Sequence, residues 1–365
     1  MQIPSRIPAG LAAALCAIAS VGAQNGMAKS FHKPHAFCLR EGGHHGDEKT
    51  IQLGLWGDMP YAKNGDGTKD GEKMLSLIAA MNEAELDFTM YDGDTKDGSS
   101  FCDDAAIGAD AKSFFNRLQA PAVYVLGDNE WTDCHRINNG GYNALERLDY
   151  LRKTLFNTPY SFGKKKIRLE HQGPLGQAYS ENIRFAMGAA LFVGLNVPGS
   201  NNNKVNEGDC LSGKSARTQK DCDEDNAEYA DRNAHNLAWI KETFQTAKAR
   251  RYPGILFVIQ ADPGFDWPET EGVNERKSLP GIDGYNELLD LLVDECGAYD
   301  GEVVLVHGDT HYFKIDKPLL DATHLVKNFT RVQTFGSPNA DWIRVTVDRK
   351  SPNIFTFEPM MVDTK

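Results

Sequence analysis

The stretch Val303-Val304-Leu305-Val306-His307-Gly308-Asp309-Thr310-His311 decides the reading of this chain. Its aliphatic run reads as a buried strand, and the run stops on a glycine among titratable and ligating side chains. Four upstream runs also end in polar side chains, three of them at Gly-Asp. Ile51-Gln52-Leu53-Gly54-Leu55-Trp56 ends at Gly57-Asp58, and Leu86-Asp87-Phe88-Thr89-Met90-Tyr91 ends at Asp92-Gly93-Asp94. Ala122-Val123-Tyr124-Val125-Leu126 ends at Gly127-Asp128-Asn129-Glu130, and Gly254-Ile255-Leu256-Phe257-Val258-Ile259 ends at Gln260-Ala261-Asp262-Pro263. One Gly-Asp after a strand is ordinary turn chemistry. Five polar strand ends in succession mark the place where an open α/β sheet builds a site.

Helical patterns separate these strands. Glu72 to Glu85 carries Met74, Leu75, Leu77, Ile78 and Met81 at helical spacing. Residues 110–118, the start of 142–158, and 282–295 also read as helices. Residues 227–249 form an amphipathic helix with Leu237, Trp239, Ile240 and Phe244. Residues 178–187, 189–197, 342–347 and 354–357 are strand-like. Residues 199–226 read as a long polar loop, a kind that is either functional or disordered. No internal repeat is visible. Strands alternating with helices imply an α/β or mixed layered sheet.

The chain has 365 residues, 41% hydrophobic and 25% charged, an ordinary globular composition able to bury a large core. Its net charge of -12 excludes attraction of nucleic acid through the overall field. A phosphate-bearing substrate is repelled over long range too, so a site for one needs local positive charge. Arg6, the apolar run Ile7 to Val21 and Val21-Gly22-Ala23 match a secretory signal peptide cleaved near Ala23. This implies a secreted or periplasmic protein. The expected organisation is a signal peptide at 1–23, a polar arm with four histidines at 24–49, and one catalytic domain at 50–360. No later segment reaches 18 apolar residues, so no transmembrane span is expected.

Removing Cys16 with the signal leaves Cys38, Cys102, Cys134, Cys210, Cys222 and Cys296, an even count that suggests disulfides in an exported chain. Cys210 with Cys222 is the natural local pair. A bridge between Cys102 and Cys134 would brace the strand ends. Asp66 to Gly71 begins like a calcium-binding loop, but Leu77 stands where the closing Glu is needed. No GxSxG, GxxxxGK(S/T) or GxGxxG occurs, so serine-hydrolase and nucleotide-cofactor chemistry are unsupported. Asn328-Phe329-Thr330 is a glycosylation sequon in form.

In order, Gly-Asp-Met-Pro, Gly-Asp-Thr-Lys-Asp-Gly, Gly-Asp-Asn-Glu, Gln-Ala-Asp-Pro and Gly-Asp-Thr-His resemble the five-block signature of the calcineurin-like metallophosphoesterases. In that family the blocks run DxH, GDxx, GNH(D/E), a lone His and GHxH. The resemblance spans about residues 51–357. It implies an α/β (α+β layered) fold of two packed mixed β-sheets flanked by helices, a four-layer sandwich. It also implies two divalent ions ~3.5–4 Å apart, holding a hydroxide that attacks phosphorus in line. By motif position Asp94 bridges the ions, Asp58 and His311 serve the first, and Asn129 serves the second.

The chain departs from the family at several ligands. Pro60 replaces the His of DxH, Gln260 the lone His, and Asp309 the first His of GHxH. Counting from the glycine puts Asp128 at the third-block ligand position, while one extra residue puts Asn129 there. Either way the imidazole that assists the leaving group is gone, and His135 or His307 is the candidate substitute. The resulting oxygen-rich set of Asp58, Asp94, Asp128, Asn129, Gln260, Asp309 and His311 suits manganese, magnesium or calcium, while imidazole favours zinc or iron. The expected function is a secreted metal-dependent phosphoesterase acting on a small-molecule or lipid phosphate mono- or diester. The alternative is a non-catalytic binding protein on the same fold.

Overall fold

The chain is seen in a computed structural model that describes residues 49–59, 61, 69–265, 279, 281–320 and 324–363. The expected signal peptide, nearly all of the expected polar arm, Cys16, Cys38, Pro60 and residues 62–68, where the calcium-loop-like stretch begins, lie outside the described residues.

Strands β1 (Ile51–Trp56), β2 (Phe88–Tyr91) and β3 (Ala122–Tyr124) run parallel. In the second sheet come β4 (Glu170–His171), β5 (Ile183–Met187), β6 (Ala190–Gly194), β7 (Gly254–Val258), β8 (Glu302–His307), β9 (Lys314–Asp316) and β10 (Phe329–Gln333). Its order is β4-β5-β6-β7-β8-β10-β9, with β6, β7, β8 and β10 parallel and the edges antiparallel. The chain then returns to the first sheet. There β11 (Trp342–Val347) lies antiparallel to β1 and β12 (Phe355–Met360) covers β11, giving the order β12-β11-β1-β2-β3.

Alternation along the strands sorts their side chains into two cores. Phe192, Leu256, Val258, Val304 and Val306 join the cluster containing Leu53, Phe88 and Met90 of the other sheet. Leu191, Val193, Ile255, Phe257, Val303 and Leu305 instead pack with Trp239, Ile240 and Phe244 of helix Gln219–Arg250 and Leu288 and Leu292 of helix Asn286–Gly297. Helix Lys69–Glu83 buries Met74, Leu77, Ile78 and Met81 in the first cluster. Residues buried on both faces explain why the central strands read as unbroken apolar runs. The expected fold class of two mixed sheets flanked by helices is the one observed.

Three local readings change. Helix Gln219–Arg250 begins eight residues before the expected 227, because Thr218 and Asp221 form a reciprocal cap on its first turn. Its first two turns look like loop in sequence since most of their side chains face solvent. Strand β5 starts at Ile183, after turns closed by Ser180 N–H to Gln177 O and Asn182 N–H to Tyr179 O. At the sequon, the Asn328 amide donates to the carbonyls of Cys296, Tyr299 and Gly301, so it serves as a cap beyond helix Asn286–Gly297.

Both expected disulfides are present: Cys102–Cys134 and Cys210–Cys222. Cys296 is buried as a free thiol. No helix among the described residues is long and apolar enough to cross a membrane.

Phe88 and Phe192 meet edge to face across the two sheets at 4.8 Å between centroids. Replacing Phe192 by Ala should cost about 3–5 kcal/mol in urea unfolding. Leu175→Ala, at a position 40% exposed, should cost no more than about 0.5 kcal/mol in the same experiment.

Candidate metal centre

Because β1, β2 and β3 are mutually parallel, as are β7 and β8, their carboxyl ends deliver side chains to one place. Asp58 follows β1, Asp94 follows β2, Asp128 and Asn129 follow β3, Gln260 follows β7, and Asp309 and His311 follow β8. The side chains form one connected set. Asn129 donates from its backbone to Asp94 Oδ1 at 3.1 Å and from its amide to Asp94 Oδ2 at 2.7 Å. Gln260 Nε2 stands 3.3 Å from Asp94 Oδ2, from Asp128 Oδ1 and from Asp309 Oδ1. The Asp309 backbone N–H donates to Asp58 Oδ2 at 3.0 Å. His311 Nε2 lies 3.6 Å from Asp58 Oδ1, while its Nδ1 faces the Ser337 carbonyl at 2.7 Å.

The backbone is bent to achieve this. Asp58, Asp94, Asp309 and His311 all have left-handed φ, between 49° and 72°. Such conformations are uncommon outside glycine and cost on the order of 1–3 kcal/mol each. Asp tolerates them better than most residues. Gly308 is required by close approach: a Cβ there would lie 1.8 Å from Asp58 Oδ2.

Electrostatics sets the character of the centre. Asp58, Asp92, Asp94, Asp128 and Glu130 are all buried. Among the described residues, no Lys or Arg forms an ion pair with any of them or with Asp309. Burial drives Asp94 and Asp309 well above the usual carboxylate range, and the charge of Asp128 adds most to the effect in each. Asp92 and Glu130 are raised by burial too. Asp58 is raised less, since burial is opposed by His311 and the Asp309 N–H. For His311 burial pulls downward, but Asp58 and the Ser337 carbonyl outweigh it and raise its pKa. Lys96, nearly fully buried, is pulled down by desolvation against the attraction of Glu130 and Asp94.

The donor set suits hard divalent cations. Buried carboxylates are stable when paired or when they ligate a metal, and Asp58 Oδ1 is buried with no hydrogen-bond partner. As they stand, no three His, Cys, Asp or Glu side chains among the described residues close around a single ion. The Gln260 amide occupies the common centre of Asp94, Asp128 and Asp309. Its two N–H groups face three oxygens at distances long for hydrogen bonds. The Gln260 Oε1 in turn accepts from the Gly199 N–H at 2.5 Å.

All seven candidate ligands therefore meet, with both Asp128 and Asn129 inside the network. The two candidate catalytic histidines stand apart from it. His307 is fully buried, with Nδ1 3.0 Å from the Gly308 carbonyl oxygen. His135 faces a neighbouring cavity, with Nδ1 2.9 Å from Ser215 Oγ. Burial and the charges of Arg217 and Arg136 push His135 down to about 3.

Sequence reasoning missed several supporting groups. Tyr61 places its hydroxyl 3.3 Å from Asp94 Oδ2 and 3.1 Å from His311 Nε2. Glu130 accepts from the N–H groups of Asp94, Thr95 and Gly127, locking two strand ends together. Ser200 Oγ lies 3.1 Å from Asp128 Oδ2 and 2.6 Å from Asp133 Oδ1. Glu130 and Tyr61 were near motif blocks and so within reach of a closer reading. Nothing in the sequence pointed to Ser200.

The fold is similar to that of a dimetal phosphatase. That protein, from Danio rerio, shares 10% identity, covers 85% of this chain and 96% of its own, and superposes with a TM-score of 0.48. A 5'-nucleotidase from Candida albicans shares 11% identity, covering 85% of this chain and 50% of its own, with a TM-score of 0.41. GAP50, the anchor in the inner membrane complex of Plasmodium, shares 15% identity, covering 86% and 89%, with a TM-score of 0.38. No family model matches the chain, and no curated protein matches it in sequence.

Metal binding at the strand ends should stabilise the folded chain. Manganese at about a hundred times its dissociation constant should add about 2.7 kcal/mol, read as a rise in the thermal midpoint. Asp94→Asn should abolish that rise. A midpoint that no divalent ion moves in the wild type would remove the metal reading.

Proposed function

We propose that this chain is a metal-dependent phosphoesterase acting on a phosphate mono- or diester outside the cytosol. The observation that carries the proposal is the concentration of carboxylates at the ends of β1, β2, β3 and β8, most of them buried and none of them in an ion pair with a Lys or Arg among the described residues. Divalent cations held there would supply Lewis acidity and an activated water. Asp58, Asp94, Asp309 and His311 would hold them, together with Asp128 and the Asn129 side chain.

The chain's own groups prepare the site. Asn129 and Glu130 fix the Asp94 loop. The His311 Nδ1 donates to the Ser337 carbonyl, which orients Nε2 toward Asp58, an arrangement common among metal-ligating histidines. Burial, then Asp94 and Asp58, push Tyr61 well above its ordinary range, so its hydroxyl keeps its proton and points it into the centre. Two disulfides support a secreted or periplasmic location. Lipid and small-molecule phosphate esters both fit this reading.

A second reading has its own observation. The Gln260 amide already stands among Asp94, Asp128 and Asp309, with Nε2 3.3 Å from each, where a cation would otherwise have to meet them, an arrangement suited to a non-catalytic binding protein.

Hydrolysis of aryl phosphate mono- and diesters, measured with manganese, zinc, magnesium or calcium, decides between them. Metal-dependent turnover should fall at least about a hundredfold in Asp94→Asn, the scale on which loss of one stabilising group at a reaction centre is felt. Absence of turnover with every ion, in a protein that elemental analysis shows to be metal-free, would favour the binding protein.

A further inference from the structure

A cavity of about 900 Å³ opens beside the carboxylate centre and shares Ser200 and Asp133 with its surroundings. Ser200 is the link, since its hydroxyl touches Asp128 of the centre on one side and Asp133 of the cavity on the other. The size is that of a small-molecule site.

The cavity gathers cations in an acidic protein. In a chain of net charge -12 it is lined by Arg136, Lys204, Lys214 and Arg217 against two carboxylates, Asp133 and Asp209. Three of the cations are aimed by ion pairs: Arg136 to Asp133 at 2.7 Å, Lys204 to Asp283 at 2.5 Å and Arg217 to Asp225 at 2.6 Å. These contacts leave N–H groups of both guanidinium forks uncommitted. Lys214 is exposed and has no ion-pair partner among the described residues. Ile137, 59% exposed, adds apolar surface between the charges.

The walls are built in advance. Ile137 N–H donates to the Lys214 carbonyl and Ala216 N–H to the His135 carbonyl, both at 2.9 Å, zipping segment 135–137 to segment 214–216. The Cys102–Cys134 bridge anchors the first segment, and Cys210–Cys222 closes the loop that carries the second. Ser200, Asn201, Asn202 and Asn203 take left-handed φ of 50° to 62° in succession, a turn that carries the chain from the centre into the cavity wall. Preorganisation of this kind lowers the cost of binding.

We propose that this cavity is an anion-binding subsite that receives a second phosphate of an organic bisphosphate whose first phosphate meets the carboxylate centre. The inference deepens the proposed phosphoesterase and rests on it for which end is cleaved, while binding in the cavity is testable without turnover. A polymeric polyanion is disfavoured by the net charge of the whole chain, so the fitting ligand is small. The low pKa of His135, caused first by burial and then by Arg217 and Arg136, agrees with a positive potential there.

Calorimetric titration of the full chain with hexane-1,6-diyl bisphosphate and with hexyl phosphate tests the proposal. The bisphosphate should bind at least about tenfold more tightly, with an advantage that shrinks as salt is raised. Lys214→Glu should bring the ratio of the two affinities toward one. Lys166→Glu, the same charge change in a separate cavity of about 330 Å³, should leave the ratio as in the wild type. Affinities that Lys214→Glu leaves unchanged, or an equal loss in both variants, would overturn the subsite. Equal affinities for the two ligands that both fall in Lys214→Glu, but not in Lys166→Glu, would keep the subsite and count against the phosphoesterase reading.

Discussion

Negative charge confined at the meeting point of two sheets is the constraint on which the rest of this structure depends. Parallel strands must send their carboxyl ends to the same side, and here those ends carry Asp58, Asp94, Asp128 and Asp309. Ionised carboxylates removed from water are unfavourable unless positive charge or donors meet them. The protein provides donors locally: the amides of Gln260 and Asn129 and the backbone N–H of Asp309. Among the described residues it provides little positive charge, chiefly His311 and Lys96. The centre is therefore poised between protonation and cation binding, which is why a metal reading and a degenerate one start from the same side chains.

Much of the surrounding architecture serves to keep these groups close. Left-handed backbone at four of the contributing residues turns their side chains inward, and Gly308 lets two strand ends approach. Glu130 ties the ends of β2 and β3 through three backbone N–H groups. The Cys102–Cys134 sulfurs lie 3.5 and 3.7 Å from the Asn129 carbonyl oxygen, so the bridge reinforces the same corner. Strain of this kind persists only where packing over-determines it, and the inter-sheet aromatic core beneath provides that packing.

Beside this anionic centre the long polar segment after β6 and residues 135–138 line a cavity that gathers four cations. Charges of both signs within one contiguous region give a substrate two distinguishable ends to present. They also answer the long-range repulsion expected between a chain of net charge -12 and a phosphate-bearing ligand.

The sequence by itself determined the fold class and the location of the centre. Apolar runs of strand length stopping on Gly-Asp are local signals, and their order along the chain is preserved in the strands and the site. It likewise pointed to both disulfides, one from short spacing and one from proximity to the motif blocks. What it left open, whether Asp128 or Asn129 belongs to the centre, has a tertiary answer: Asn129 reaches Asp94 while Asp128 reaches Gln260. Tertiary structure alone decided that His135 and His307 stand apart from the carboxylates. A histidine near a motif in sequence can be turned away by a 3-10 helix, as Thr132–His135 does, or sealed inside a sheet, as β8 does. It alone brought in Ser200, whose role depends on a left-handed turn that juxtaposes residues about seventy positions apart. Periodicity records which face of an element is buried, but it holds no information about which distant side chains will share a hydrogen bond.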